Sequence, residues 1–529
     1  MRFFNTAGPI QDDIHYCIPP LERWNLEEIV SLIAQRKYFV LHAPRQTGKT
    51  SCLLALVRYL NERGDYRALY TNVEPAQAMR ENVQESMATI VDGLGRDAEY
   101  YLKDTGGAGL ADRVRSSRPG ASMLESFLAQ WCQQTNRATV LMIDEVDALV
   151  GDTLISLLRQ LRSGYNRRPA AFPQSIILCG VRDVRDYRIH SSAEKSIITG
   201  GSAVNIKAAS LRLGDFNREE MERLYAEHTT ETGQTFEPGA LDAAWELSCG
   251  QPWVVNALAY EACFELKEGR NRARPVSQAM IEQAGENLIL RRETHLDQLA
   301  DKLKEPRVKR VIEPMVAGTE PGDEAGEDDI QYVLDLGLIR RTRDGLQIAN
   351  GIYREVIPRQ LTIVTQIALE STVSDGWYIR RDGSLDMEAL LTGFQQFFRE
   401  NSEHWSQRFE YQEAGPQLLL QAYLQRVVNG GGLVHREYGL GRGRTDLLVT
   451  WRDQRIVLEL KLVDQKLFHR SLERTIEEGL QQTAQYMDRC GTSEGHLILF
   501  DRTPGKPWEE KIWRREDRID GKNITAWGM

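Results

Sequence analysis

The sequence predicts an α/β fold built on a parallel sheet, and three apolar segments carry this prediction. Residues 39–41, 138–143 and 175–181 are strand-sized apolar runs. A helical pattern follows the first of them, with apolar residues on one face at Leu53, Leu56, Val57 and Leu60. Strands that alternate with helices are typical of α/β folds. No apolar run reaches the length of a membrane span, so we expect no membrane association.

The first of these strands runs directly into a phosphate-binding loop. Residues 43–50 read Ala-x-x-x-x-Gly-Lys-Thr, with Ala43 in place of the usual glycine and Gly48 retained. In such a loop, backbone N–H groups wrap the phosphates, Lys49 reaches the terminal phosphates, and the Thr50 hydroxyl is a ligand of Mg²⁺. We therefore expect ATP and Mg²⁺ as cofactors. The predicted nucleotide-binding residues are Ala43, Pro44, Arg45, Gln46, Thr47, Gly48, Lys49, Thr50 and Ser51.

Charged residues follow the other two apolar strands. Asp144 and Glu145 come directly after residues 138–143, where we expect Asp144 to hold Mg²⁺ and Glu145 to polarise the attacking water. A solvated strand end is the alternative. Arg182 ends the third strand and is expected to sense or stabilise the γ-phosphate, with Arg185 as a substitute for that role. A surface arginine is the alternative there.

The order of these motifs resembles the origin-recognition and STAND branch of the AAA-like P-loop ATPases. The resemblance covers residues 10–360 and includes Gly250-Gln-Pro252, a Gly-x-Pro motif. It implies an ATPase core over residues 1–213 and a helical lid over residues 214–296, with Pro252 packed near the adenine. ATPases of this type often self-associate, so a homo-oligomer is an open alternative. Its interface arginine would be Arg159, Arg162 or Arg167.

Residues 297–361 have the pattern of a winged helix, with two helical segments followed by two short strands around Asp344-Gly345. Origin-type ATPases often have such a domain after the lid. The second helical segment carries Asp328, Asp329 and Asp335, which favours packing against the ATPase or a partner over base recognition. Residues 362–406 are interpreted as a helical connector.

The last part of the chain has a separate set of charged residues. Asp446 lies on one predicted strand, and Glu459 and Lys461 share one face of the next strand because side chains alternate. Paired strands would bring the three together. The two carboxylates would hold Mg²⁺, and Lys461 would orient or deprotonate the water that attacks a phosphodiester. An ordinary exposed strand is the alternative.

This region, residues 407–529, resembles the PD-(D/E)xK, or restriction-endonuclease-like, α/β fold. Asp446, Glu459 and Lys461 match its core motif, although Thr445 replaces the usual proline. The resemblance adds three auxiliary residues, which are Glu413, Glu437 and Gln482. It implies a metal-dependent nuclease with nucleic acid as substrate, DNA being favoured over RNA. A degenerate, non-catalytic scaffold is the alternative.

Composition limits the class of protein to which the chain can belong. The chain has 529 residues, a net charge of −10 and seven cysteines without a C-x-x-C pair. We therefore expect a cytoplasmic protein without disulfides or zinc, and without a generally basic surface. The sequence predicts an ATPase whose nucleotide state controls a nuclease-like domain, and the domain pairing suggests defence against foreign nucleic acid. The alternatives are a nucleotide-dependent signalling or scaffold switch, and a regulator that binds DNA through the winged helix.

Overall fold

The computed structural model describes most of the chain. The described residues are 2–182, 189–190, 197–198, 207–291, 301–316, 321, 325–343, 345–357, 360–361, 378–406, 419–421, 423–425, 432–437, 445–463, 472–501, 503 and 506–529. The chain divides into two compact units. The first contains Met1–Leu288 and Asp335–Gly337, and the second contains Ile289–Leu334 and Leu338–Met529.

A parallel five-stranded sheet forms the centre of the first unit, as the sequence predicts. The strands of this unit are β1 (Phe3–Phe4), β2 (His15–Tyr16), β3 (Tyr38–His42), β4 (Tyr66–Asn72), β5 (Ala138–Asp144), β6 (Ser175–Gly180), β7 (Ile189–His190), β8 (Ile197–Ile198) and β9 (Lys207–Arg212). The sheet has the order β4-β5-β6-β3-β9. Since all five strands are parallel, their carboxyl ends meet at one edge, where ligands bind in such folds.

Helices cover both faces of this sheet. They are α1 (Leu26–Ala34), α2 (Lys49–Arg63), α3 (Val83–Leu102), α4 (Gly106–Ser117), α5 (Gly120–Cys132) and α6 (Gly151–Ser163). Alternation along β3 divides the core, because Tyr38 and Val40 pack with the α3–α6 residues while Phe39 and Leu41 pack with those of α1 and α2. β3 is therefore buried on both faces, which explains its continuous apolar run.

The predicted lid region is helical. Its helices are α7 (Arg218–Thr232), α8 (Pro238–Ser248), α9 (Pro252–Tyr260) and α10 (Gln278–Arg291). A capping box begins α7, in which the Asn217 side chain accepts from the Glu220 backbone and the Glu220 side chain accepts from the Asn217 backbone. The N-terminal strand β1 packs beside α7 and α9 through rings such as Phe4 and Tyr225. This apolar cluster ties the start of the chain to the lid helices.

The second unit begins with a small helical and hairpin region. It contains α11 (Pro306–Val316), α12 (Glu327–Asp335, of which the last residue belongs to the first unit), β10 (Ile339–Thr342) and β11 (Gly345–Ile348). The two strands pair antiparallel, with Ile339 opposite Ile348. Asp329 on α12 pairs with Arg307 and Arg310 of α11. These ion pairs neutralise part of the acidic charge on α12.

A six-stranded mixed sheet forms the centre of the second unit. Its strands are β12 (Gly432–Glu437), β13 (Thr445–Trp451), β14 (Gln454–Val463), β15 (Glu494–Asp501), β16 (Trp513–Ile519) and β17 (Lys522–Gly528). The order is β12-β13-β14-β15-β17-β16. β12, β13 and β14 form an antiparallel meander, whereas β14, β15 and β17 are parallel. A parallel step from β14 to β15 requires a crossover, and a helix supplies it.

Helices also cover both faces of this second sheet. They are α13 (Met387–Ser406), α14 (Leu472–Cys490) and the short α15 (Trp508–Lys511). The crossover helix α14 packs on the face that carries Val457 and Leu497. Helix α13 buries Leu390 and Phe394 in the core of the opposite face. Helix α13 lies in the segment that was expected to be a helical connector, but its apolar face packs in this core, so the compact structure begins before residue 407.

Among the described residues, no helix has both the length and the apolar character that crossing a bilayer requires.

Candidate functional site

The phosphate-binding loop connects β3 to α2. Gly48 has a φ of 93°, and a Cβ at this position would lie 2.6 Å from Nη1 of Arg23, so the position requires glycine. Lys49 is buried, and its Nζ donates 2.9 Å hydrogen bonds to the carbonyl oxygens of Ala43 and Pro44. The ammonium group is therefore held against the backbone of the loop.

The other predicted loop residues have separate roles. The Thr47 hydroxyl donates to the Pro44 carbonyl at 2.8 Å, which closes the turn. Gln46 has a φ of 58°, and both it and Arg45 are exposed. The Ser51 hydroxyl accepts a 3.0 Å hydrogen bond from the backbone N–H of Ile10. The predicted nucleotide-binding residues therefore lie together, in the loop after β3 and in the first turn of α2.

Asp144 is fully buried at the end of β5 and receives hydrogen bonds from three directions. Its Oδ2 accepts from the Thr50 hydroxyl at 2.7 Å and from the Tyr70 hydroxyl at 3.0 Å. Its Oδ1 accepts from the backbone N–H of Glu145 at 3.0 Å. The hydroxyl of Thr50 and the carboxylate of Asp144 are a donor set of hard oxygens, which suits Mg²⁺.

Glu145 lies beside this carboxylate in an uncommon backbone conformation. Its φ is 58°, in the left-handed region that non-glycine residues seldom occupy. Burial raises the pKa of its carboxyl group above the usual range, and the nearby charges of Asp147 and Asp144 raise it further. Such strain and such a shift occur together at functional sites. Asp147 in turn accepts a 3.1 Å hydrogen bond from the backbone N–H of Val181, the residue before Arg182.

Arg182 is mostly buried and lies in an ion pair. Its Nε is 3.3 Å from Oδ2 of Asp335, whose side chain is only 2% exposed. Asp335 belongs to the short segment Asp335–Gly337, which is part of the first unit. A Cβ on Gly337 would lie 2.7 Å from the Pro44 ring, so this segment also touches the phosphate-binding loop. The alternative prediction, that Arg182 is a surface arginine, is therefore wrong. Arg185 lies outside the described residues.

Arg23 is a further residue at this site that the motifs did not identify. Its guanidinium donates to the carbonyl oxygen of Thr47 and, at 2.7 Å, to that of Gly214. It also lies 4.6 Å from the centre of the Phe216 ring. Arg23 thus joins the phosphate-binding loop to the segment that enters the lid. The signal available in the sequence is the segment 16–23, which resembles the region that leads into the nucleotide site of AAA-like ATPases.

The Gly-x-Pro segment begins helix α9. Gly250 has a φ of 83°, and a Cβ there would lie 1.9 Å from the carbonyl oxygen of Phe216. Pro252 is buried in the first turn of α9, where a proline costs no hydrogen bond. The indole N–H of Trp253 donates a 3.0 Å hydrogen bond to the carbonyl oxygen of Thr6. The N-terminal segment therefore contacts both this helix and, through Ile10, helix α2.

The arginines considered for a subunit interface lie on or just after α6. Arg159 and Arg167 line a surface cleft of about 870 Å³ between α5 and α6. Arg167 forms an ion pair with Glu125, and Arg162 is exposed.

The second set of predicted residues lies at one end of the sheet in the second unit. In the strand register, Glu437 is directly opposite Asp446, and Asp446 is directly opposite Glu459. Directly opposed residues of antiparallel strands project from the same face, with Cβ atoms roughly 5 Å apart. The register therefore aligns three acidic residues in a row across β12, β13 and β14.

Glu459 and Lys461 are two residues apart on β14 and form a close ion pair. Lys461 Nζ lies 2.5 Å from Oε1 of Glu459, whose side chain is fully buried. Gln482, on the crossover helix α14, has a buried Oε1 without a hydrogen-bond partner among the described residues. The face of β14 that carries this pair is the one against which α14 packs. The sequence anticipated this shared face from alternation alone.

The described side chains do not include all of the predicted residues. The structure gives only the backbone positions of Glu437 and Asp446, and Glu413 lies outside the described residues. Within the described side chains, no group of three or more metal-binding residues is present.

Comparisons with known proteins agree with the nucleotide site. A family model described as an AAA domain matches residues 33–187. No curated protein matches the chain at a significant level.

Solved structures that match the chain include the following three proteins, each with a TM-score below 0.5. The Walker-type ATPase PABY2304 of Pyrococcus abyssi is 14% identical, with a TM-score of 0.46 over 67% of this chain and 99% of that chain. The Aeropyrum pernix ORC2 protein, solved as ADPNP–ADP complexes, is 13% identical, with a TM-score of 0.40 over 66% and 94%. The Thermotoga maritima RuvB Holliday junction branch migration motor is 14% identical, with a TM-score of 0.33 over 63% and 95%.

The loop at Ala43–Thr50, the buried Asp144 and the parallel sheet between them therefore agree with the matched family. Residues 33–187 of this chain form an AAA-type P-loop ATPase domain.

Proposed function

We propose that this protein binds and hydrolyses ATP, and that its nucleotide state controls a Mg²⁺-dependent nuclease-like domain at the C-terminal end. The row formed by Glu437, Asp446 and Glu459, with Lys461 two residues along β14, is the observation that supports the nuclease part. Acidic residues seldom lie directly opposite one another across three strands, because their charges repel. A bound cation would remove that cost.

For ATP hydrolysis, each residue of the first site has a definite task. Lys49 would leave the carbonyl oxygens that it contacts and bind the terminal phosphates, while the loop N–H groups hold the others. Thr50 and Asp144 would hold Mg²⁺, which neutralises phosphate charge when bound. Glu145 would accept the proton of the attacking water, and its raised pKa suits a general base.

For phosphodiester cleavage, the carboxylates of Asp446 and Glu459 would hold Mg²⁺, which polarises the phosphate when bound. Lys461 would leave Glu459 and orient the water that attacks phosphorus. That attack forms one P–O bond and breaks another, so water is the only co-reactant. Gln482 has an acceptor available to hold this water or the Lys461 ammonium group.

The pair Arg182–Asp335 supports control by nucleotide. A γ-phosphate would compete with Asp335 for the Arg182 guanidinium, because both are anions that accept its hydrogen bonds. Asp335–Gly337 is flanked in sequence on both sides by residues of the second unit. A change at this segment would therefore be transmitted along the chain to that unit.

The proposal divides the chain into five parts. These are the ATPase core (1–213), the lid (214–296), a winged helix (297–361), a connector (362–406) and the nuclease-like domain (407–529). Helix α13 adds to the core of the last part.

One observation favours a second candidate, a nucleotide-dependent signalling or scaffold switch with a non-catalytic C-terminal domain. Glu459 is fully buried and already neutralised by Lys461. A structural ion pair of this kind needs no metal.

A cleavage assay tests the two candidates. Purified protein is incubated with duplex DNA, single-stranded DNA or RNA, in Mg²⁺ or Mn²⁺, with and without ATP. We expect cleavage by the wild type and none by Lys461→Ala or Glu459→Gln. Glu477→Gln on the exposed face of α14 is the matched control, and circular dichroism checks the fold.

A further variant tests the ATPase function separately from the nuclease function. Lys49→Ala should lose ATP binding and any effect of ATP on cleavage. Equal behaviour of the wild type and the Lys461 variant on all substrates would reject the nuclease and leave the switch.

A further inference from the structure

The Asp144 carboxylate receives a hydrogen bond from a residue outside the sequence motifs. Tyr70 lies on β4, the strand next to β5, and its hydroxyl donates to Oδ2 of Asp144 at 3.0 Å. The same oxygen accepts from Thr50 at 2.7 Å. A carboxylate can only accept hydrogen bonds, so both hydroxyls direct their protons at this one atom.

The strand register explains why Tyr70 reaches Asp144. Tyr70 is aligned with Met142, and Asp144 is two residues further along β5. Residues two apart on a strand share a face, so Tyr70 and Asp144 are diagonal neighbours on the same side of the sheet. A tyrosine is long enough to span that diagonal with its hydroxyl.

Packing fixes the ring in this position. Tyr70 is only 8% exposed, and its ring makes an edge contact with Tyr101, with 6.0 Å between the ring centres. A buried ring with few accessible rotamers holds its hydroxyl at a constant place. Its donor is therefore pre-organised, whereas the Thr50 hydroxyl can rotate.

We propose that Tyr70 is a positioning residue for the ATPase reaction, which holds the Asp144 carboxylate in the orientation that receives Mg²⁺ together with Thr50. The proposal rests on the ATPase function proposed above. The other carboxylate oxygen, Oδ1 of Asp144, accepts a hydrogen bond from the backbone N–H of Glu145. Because Tyr70 holds the carboxylate through Oδ2, it also helps to fix the position of Glu145. If the Thr50 hydroxyl turned towards Mg²⁺, the Tyr70 hydroxyl would still hold Oδ2 of Asp144.

The substitution Tyr70→Phe tests this role, because it removes the hydroxyl and keeps the ring. Tyr66→Phe on the same strand is the matched control, since it removes a phenolic hydroxyl without a contact to Asp144. The affinity for a fluorescent ATP analogue is measured by titration of Mg²⁺ and, separately, in EDTA. ATP turnover is measured over the same Mg²⁺ range.

For Tyr70→Phe we expect a roughly tenfold higher Mg²⁺ concentration at half-saturation, as loss of a hydrogen bond to a charged group predicts. Affinity in EDTA should stay unchanged, and Tyr66→Phe should match the wild type. The proposal is overturned if Tyr70→Phe has the Mg²⁺ midpoint of the control. It is also overturned if affinity falls equally in EDTA, because the residue would then be merely structural. A wild type without Mg²⁺-dependent nucleotide binding would instead overturn the ATPase function and the role of Tyr70 with it.

Discussion

The hydroxyl of Thr50 donates a 2.7 Å hydrogen bond to the carboxylate of Asp144. The two residues are 94 positions apart in the chain, at the start of α2 and the end of β5. Helix α2 follows strand β3, and β3 is not adjacent to β5, because β6 lies between them in the sheet. The contact therefore depends on the parallel arrangement, which brings the carboxyl ends of all three strands to one edge.

Replacement of Glu145 should separate nucleotide binding from hydrolysis. Glu145→Gln keeps the size of the side chain but removes the base, so ATP turnover should fall by roughly a hundredfold or more. Affinity for ATP should change little, because Lys49 and the loop remain. Stopped-flow binding and steady-state turnover measure the two effects. Asp152→Asn, at an exposed acidic residue on α6, is the control. Unchanged turnover in Glu145→Gln would show that another group is the base.

Removal of the charge on Asp335 should strengthen the binding of ATP relative to ADP. Asp335→Asn loses the ion pair with Arg182, so the guanidinium interacts more freely with a third phosphate. We expect the affinity ratio of ATP to ADP to rise roughly fivefold, which corresponds to about 1 kcal/mol. Isothermal titration calorimetry gives both affinities. Asp329→Asn, which breaks two ion pairs elsewhere on α12, should leave the ratio unchanged. A ratio that shifts equally in both variants contradicts a direct role of Asp335.

Two glycine substitutions should differ in their effect on stability. Gly250 and Gly233 both follow lid helices with a positive φ, 83° and 77° respectively. A Cβ on Gly250 would lie 1.9 Å from a carbonyl oxygen, whereas a Cβ on Gly233 would meet nothing within 4 Å. Gly250→Ala should therefore lower the free energy of unfolding by about 1–3 kcal/mol more than Gly233→Ala does. Chemical denaturation measures the difference. Equal losses of unfolding free energy would show that the positive φ alone, and not the contact with the carbonyl oxygen, causes the destabilisation.

The buried His228 should make the protein less stable in mild acid. Burial lowers its pKa below the usual value, and its ring contacts Tyr16 and Gln234. As pH falls below the ordinary histidine pKa of about 6.5, the unfolded chain binds a proton that the folded chain does not. The free energy of unfolding should therefore decrease between about pH 7 and pH 5, by an amount that His228→Gln reduces. Denaturant midpoints of the wild type and of His228→Gln at several pH values measure this slope. An identical slope in wild type and His228→Gln would exclude the contribution.

The two sites differ in how far local patterns could predict them. The loop at 43–50 and the acidic pair at the end of β5 were predictable because each is a continuous motif in the sequence. Strand alternation also predicted that Glu459 and Lys461 share a face. The contacts of Tyr70 with Asp144 and of Arg23 with Thr47 were not predictable, because they depend on which strand lies beside β5 and on where the lid segment begins.

The sequence by itself determined the α/β class and the phosphate-binding loop, and it predicted the acidic residues, since periodicity and short motifs are local properties of a chain. Only the tertiary structure decided that Arg182 pairs with Asp335, and that α13 belongs to the core of the second sheet. It also decided the register that aligns Glu437, Asp446 and Glu459. Register and long-range pairing follow from the packing of many side chains at once, and a shift of one residue would move every side chain of a strand to the other face.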